Sequence, residues 1–169
     1  MRSIAVFMAD SHGGHRLGLL KPNLTLFDEG PGGELFPFVP TLSGMQMYLW
    51  KLYQKAIQAV RGFANGDPVY FFHVGDLCQG NAYKEQLVST RMADQITIAT
   101  ANIREWFEAD LNLEACRLVI GTNSHNFGEG SATILVGNNL TAAFGDADIR
   151  VLGHGHATVD GFIIDYAHH

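Results

Sequence analysis

Short apolar runs punctuate this chain, and each stops abruptly at a polar or glycine-containing segment. Arg2 to Ala9 (RSIAVFMA), Pro68 to Val74 (PVYFFHV), Arg117 to Ile120 (RLVI), Ile149 to Leu152 (IRVL) and Phe162 to Ala167 (FIIDYA) read as strands, the first two buried. Between them the spacing changes to that of helices. From Thr41, a candidate N-cap, apolar residues recur at Met45, Leu49, Leu52, Ala56 and Val60, and this helix should stop by Gly62 to Gly66. Glu85 to Asp110 carries Met92, Ile96, Ala99, Ile103 and Trp106 on one helical face, and Ser131 to Leu140 reads as a further short helix. Residues 21 to 40 hold all but one of the five prolines together with Gly30, Gly32 and Gly33, which predicts a long surface loop without its own core.

Strands alternating with helices predict an α/β fold, in which ligands bind beyond the carboxyl ends of the strands. The 169 residues suit one domain, 1–169, able to bury roughly 70% of its unfolded surface without a stapling device. Cys78 and Cys116 match no zinc-ribbon or redox spacing and are expected to be reduced core residues, as in a cytoplasm. No apolar run approaches the ~18 residues of a membrane span, and Met1-Arg2-Ser3 leads into a strand instead of a signal peptide. A soluble, cytoplasmic protein with no membrane partner is the expectation, its oligomeric state illegible. Lys and Arg number 11 against 17 Asp and Glu, for a net charge of −6, and none of the basic residues form a run. That argues against a broad nucleic-acid face, because phosphate backbones are held by clustered Lys and Arg.

Histidine changes the picture. Six of the eight histidines sit in small clusters with Gly, Asp or Asn, and the clusters fall at strand ends. Asp10 and His12 follow the first strand, two residues apart, so a loop there can turn both toward one ion. Asp76 follows Val74-Gly75 and could bridge two ions, the glycine allowing close backbone approach. Asn123 and His125 follow the third strand, His154 and His156 the fourth, His168 and His169 the fifth. One ligand-type residue after a strand is unremarkable by chance; its recurrence at five strand ends argues for convergence on a metal centre. His73, alone in an aromatic strand, reads as a hydrogen-bonded core residue. His15 and Arg16 are candidates for contact with a substrate phosphate, and Cys78 for packing.

In order, Asp10-x-His12, Gly75-Asp76, Gly121-Thr122-Asn123-Ser124-His125 and Gly153-His154-Gly155-His156 resemble the motifs of the calcineurin-like metallophosphoesterase superfamily over essentially the whole chain. The resemblance implies a four-layer αββα sandwich with a mixed central sheet. It also implies a dinuclear centre of two divalent ions (Mn, Fe, Zn, Ni or Mg) acting on phosphomonoesters or phosphodiesters. Carried over by position, Asp10 and His12 bind the first metal, Asp76 bridges, and Asn123 binds the second. The third motif departs from the family's G-N-H-D/E by one extra residue on each side of Asn123. Its spelling, G-T-x-x-H, is similar to that of phage- and prophage-encoded members and makes His125 the counterpart of the catalytic histidine; for such a member the cytoplasm is the host's.

The family also carries a lone histidine before G-H-x-H, and the order is reversed here. In one reading His154 and His156 are the G-H-x-H ligands. In the other, the strand ending in Ala167-His168-His169 is the lone-histidine motif, His154 and His156 are incidental, and the domain continues past His169 to a further G-H-x-H. Both stay open at this point. The mechanism implied is hydrolysis of a phosphate ester by a metal-activated water, with His125 stabilising or protonating the departing group. Two other functions compete: a non-catalytic metal-binding or assembly protein on the same fold, and a phage nuclease, against which the scarcity of Lys and Arg counts.

Overall fold

A computed structural model describes residues 2–128 and 131–168. His169, paired with His168 in the sequence reading, lies outside the described residues. Four strands, β1 (Ile4–Met8), β4 (Val69–His73), β5 (Leu113–Val119) and β6 (Ile149–Leu152), form a parallel sheet in the order β1-β4-β5-β6. Two antiparallel pairs stand apart from it: β2 (Leu26–Glu29) with β3 (Leu35–Phe38), and β7 (His154–Val159) with β8 (Phe162–Ala167). The helices are α1 (Gly44–Ala64), α2 (Met92–Phe107) and α3 (Ser131–Ala143). The protein is thus mixed α/β, with the central sheet wholly parallel instead of mixed and its antiparallel strands segregated into small sheets. No described helix is long and apolar enough to cross a membrane.

Parallel strands are usually covered on both faces, and two clusters do this for the inner strands β4 and β5. Strand β1, expected to be buried, is instead an edge strand with Phe7 51% exposed, because no described strand pairs on its outer side. On one face Phe71, Cys116 and Leu118 meet Tyr53 and Ile57 of α1, Ile103 and Trp106 of α2, and Val136 and Leu140 of α3. Phe71 stacks on Trp106 with ring centroids 4.7 Å apart. On the other face Phe72 and Val119 pack against Tyr166 and Ile164 of β8 and Ala157 of β7. Among the described residues this makes three layers, helices on sheet on hairpin.

Two local expectations change. The helix expected from Thr41 starts later, capped by Ser43: its hydroxyl accepts from Gln46 N at 3.2 Å while Gln46 Oε1 accepts from Ser43 N at 3.1 Å. Three residues beyond Thr41 stands Gly44, which has no side chain to close such a box. The stretch 21–40 is no loop throughout, because it contains the β2–β3 hairpin. Leu26 is fully buried with Leu20 and Ile98, and Phe27 N donates to the Asp94 carboxylate of α2. Pro37 fits because the pair is an isolated ribbon, where a missing N–H interrupts no larger ladder.

Candidate metal centre

The loops after β1 and β4 run side by side, and the backbone fixes them. Asp10 N, His12 N and Gly13 N donate to Gly75 O, Asp76 O and Leu77 O at 3.2, 3.0 and 2.8 Å. Asp10, His12 and Asp76 all hold positive φ (55°, 43° and 53°), a left-handed conformation that costs a non-glycine residue of order 1 kcal/mol or more and that collects at functional sites. His73, fully buried in β4, braces this loop: its Nε2 lies 3.0 Å from Ser11 Oγ, which donates in turn to Leu77 O at 3.3 Å. Burial pushes the His73 pKa down to about 3, so the ring is neutral, a supporting core residue as its sequence context suggested.

Asp76 sits at the middle of the arrangement. It is buried, and its Oδ1 accepts from Thr122 N at 2.9 Å and Thr122 Oγ1 at 3.3 Å. Its Oδ2 faces His168 Nε2 at 3.2 Å and His125 Nε2 at 3.9 Å. Two glycines make room for it and for its neighbour. A Cβ on Gly121 would lie 2.0 Å from Asp76 Oδ1, and one on Gly75 would lie 2.3 Å from His168 Cγ.

Both histidines have their other ring nitrogen committed. His125 Nδ1 meets Gln79 O at 2.6 Å and His168 Nδ1 meets Val74 O at 2.7 Å. A carbonyl can only accept, so each Nδ1 carries the proton and donates. In the neutral ring Nε2 then presents a lone pair to a carboxylate, an arrangement that is repulsive until a cation or proton lies between them. A backbone carbonyl fixing the far nitrogen is also the usual support of a metal-binding imidazole. His12 adds a third ring, edge-on to His125 with centroids 4.6 Å apart and Nε2 3.6 Å from Asp10 Oδ1. Its buried Nδ1 has no hydrogen-bond partner among the described residues, and burial first, then the neighbouring His125, lowers its pKa, which favours the neutral ring. The donor atoms form two groups that share one carboxylate: His12, Asp76 and His125, and Asp10, Asp76 and His168. That oxygen and imidazole chemistry fits divalent cations of the Mn, Fe, Zn or Ni type.

A cavity of about 590 Å³ opens onto the centre, lined among others by Asp10, His12, His125, His15, Gln79 and Tyr83, with Leu49 and Tyr53 of α1 opposite. His15 reaches it with Nε2 held by Gln86 Oε1 at 3.0 Å. Arg16 does not: its Nε donates to Leu87 O at 3.3 Å and it lines a separate hollow beside Val39 and Pro40. Asn123 opens a short 3-10 turn, Asn123–His125, and is exposed, with no side-chain hydrogen bond to the donors. The asparagine that matters structurally is Asn126, whose buried Nδ2 donates to Gly121 O and Thr122 O, both at 2.9 Å. Asn126 carried no distinct signal in the sequence, and Thr122 entered only as part of the motif's spelling, with no role of its own.

His154 and His156 are not with this group. They lie on the outward face of β7, beside Asp165, and share no donor set with Asp76. His168 does stand beside Asp76. Set beside protein-family models, curated proteins and solved structures, the chain matches none.

Proposed function

We propose that the protein is a metal-dependent phosphoesterase of the calcineurin-like kind, its parallel sheet and facing hairpin forming part of that family's sandwich. The observation that carries this reading is the single buried carboxylate, Asp76, shared by two donor groups at the carboxyl ends of β1, β4, β5 and β8. Asp10, His12, Asp76, His125 and His168 would hold two divalent ions there. Such ions, when bound, lower the pKa of a shared water toward neutrality and neutralise charge on the phosphate.

The chain's own residues do the rest. Thr122 orients the Asp76 carboxylate by donating twice to Oδ1. Gln79 and Val74 fix the tautomers of His125 and His168. His125 also lines the cavity, and with Nδ1 held by Gln79 O its Nε2 has one of two uses: it holds an ion, or, where the other four residues hold the ions, its protonated form donates Nε2–H to a departing oxygen, a role worth typically 10² to 10⁴ in rate. His15 lines the cavity with both ring nitrogens already engaged, Nδ1 accepting from Leu17 N at 3.0 Å and Nε2 facing Gln86 Oε1 at 3.0 Å, so it shapes the wall without a free nitrogen for the ester.

One observation favours the non-catalytic alternative, a metal-binding or assembly protein: among the described residues no Lys or Arg lines this cavity, so the fixed positive charge for a phosphate would have to come from ions. Hydrolysis of p-nitrophenyl phosphate and bis-p-nitrophenyl phosphate with Mn²⁺ decides between them. Turnover that is lost in Asp76→Asn supports the phosphoesterase. Equal activity in both proteins, or none in a chain that binds the metal, refutes it.

A further inference from the structure

We propose that the outward face of the β7–β8 hairpin is a separate, mononuclear transition-metal site, with Zn²⁺ its best-suited occupant, held by His154, His156 and Asp165. The strand period creates it. His154 and His156 stand two apart on β7 and share its exposed face, while Gly155 between them is buried, and a Cβ there would lie 2.5 Å from the Tyr166 hydroxyl oxygen. Across the ladder His156 pairs directly with Asp165, so the carboxylate projects on the same face as both rings.

The distances suit one ion. His154 Nε2 lies 2.5 Å and His156 Nε2 3.8 Å from Asp165 Oδ1, and the ring centroids are 5.0 Å apart. Donors ~2.0–2.1 Å from a tetrahedral zinc stand roughly 3.3–3.4 Å from one another, between those two values. Side-chain rotation is enough to equalise them, and the side chains are 56%, 63% and 63% exposed, so nothing packed must move. Two imidazoles and one carboxylate favour Zn²⁺, Ni²⁺ or Cu²⁺ over Mg²⁺. An open hollow lined by Gly153, His154, Asp165, Ala167 and His168 gives the ion a path, and solvent completes its coordination.

The site is independent of the centre in its donors but not in its consequences. A two-stranded ribbon is marginal by itself, and β8 is the strand that carries His168 to Asp76. An ion clamped between β7 and β8 fastens that strand.

The test is a Zn²⁺ titration of the full chain, without a polyhistidine tag, carrying Asp76→Asn to remove the shared carboxylate of the centre. One equivalent should remain bound by calorimetry, and at ~100 Kd it should raise Tm by about 5–10 °C, with Mg²⁺ giving no shift. Adding His154→Asn and His156→Asn should abolish both effects. Asp165→Asn, which keeps the size and cross-strand contact, should weaken binding while leaving the far-ultraviolet circular dichroism unchanged. Zn²⁺ binding that ignores the paired histidine substitutions, or no Zn²⁺ bound to Asp76→Asn, overturns the proposal. Absence of phosphoesterase activity does not bear on it.

Discussion

Gly121→Ala tests the position of Asp76 without touching a ligand. The added Cβ would fall 2.0 Å from Asp76 Oδ1 and 2.4 Å from Asp76 N. The second contact is to backbone, so rotating the carboxylate does not relieve it. Separating these atoms to ordinary contact requires more than ~1 Å of movement, enough to break the 2.9 Å bond from Thr122 N to Oδ1. Overpacking of this kind costs about 1–3 kcal/mol, and a lost hydrogen bond to a charged group about 1.5–3 kcal/mol. The sum is about 2.5–6 kcal/mol, which at roughly 2–4 °C per kcal/mol lowers Tm by at least ~5 °C. Mn²⁺ affinity should fall by at least ~10-fold, since the displaced oxygen belongs to both donor groups. The assay is thermal unfolding in chelator together with the room-temperature signal of free Mn²⁺ by paramagnetic resonance. Gly62→Ala, where a Cβ meets open space inside α1, is the control and should bind Mn²⁺ normally. A Gly121→Ala protein with unchanged Tm and unchanged Mn²⁺ affinity would refute the placement of Asp76.

Further expectations follow from burial. The Cys78 and Cys116 thiols are pushed up from 9.0 to about 12 by burial, so neither should react with a disulfide reagent at pH 8 until urea unfolds the chain. Because the folded values are raised, their contribution to stability is complete below about pH 9 and is lost as pH rises toward 12. His73 has the opposite sign: its depressed value makes a contribution present above pH 6.5 and lost as pH falls toward about 3. In chelator, urea midpoints measured from pH 7 to pH 4 should fall, and His73→Phe should flatten that slope; an unchanged slope would mean another group governs it.

Much of this arrangement was written in local sequence. The inner strand β4 announces itself because both its faces are covered, which leaves Val69 to Phe72 with no polar alternation; β1 reads the same way from its apolar residues, yet lies at the sheet edge with Phe7 half exposed. Asp10, His12, Asp76 and His125 were legible because each follows a strand of the parallel sheet, which gathers such ends on one side, whereas His168 follows β8 of the antiparallel hairpin and joins them because that hairpin packs on the sheet. The failures have one cause: contacts distant in sequence. Nothing within residues 21 to 40 says that Leu26 will be buried against Ile98 or that Asp94 will cap the backbone of Phe27, so prolines and glycines dominated the reading. His154 and His156 stayed ambiguous because a two-residue spacing is equally that of a turn and of one face of a strand. The partner that distinguishes them, Asp165, is eleven residues away. Asn123 has the chemistry of a ligand, yet Asn126 is the one folded into the turn; their order in the chain could not tell them apart.

The sharpest test of the centre itself is low-temperature paramagnetic resonance of the chain loaded with two equivalents of Mn²⁺. Two ions sharing Asp76 should give the broad, exchange-coupled spectrum of a Mn²⁺ pair, and Asp76→Asn should convert it to the six-line signal of isolated ions. A six-line spectrum from the unsubstituted chain at full loading would contradict the account.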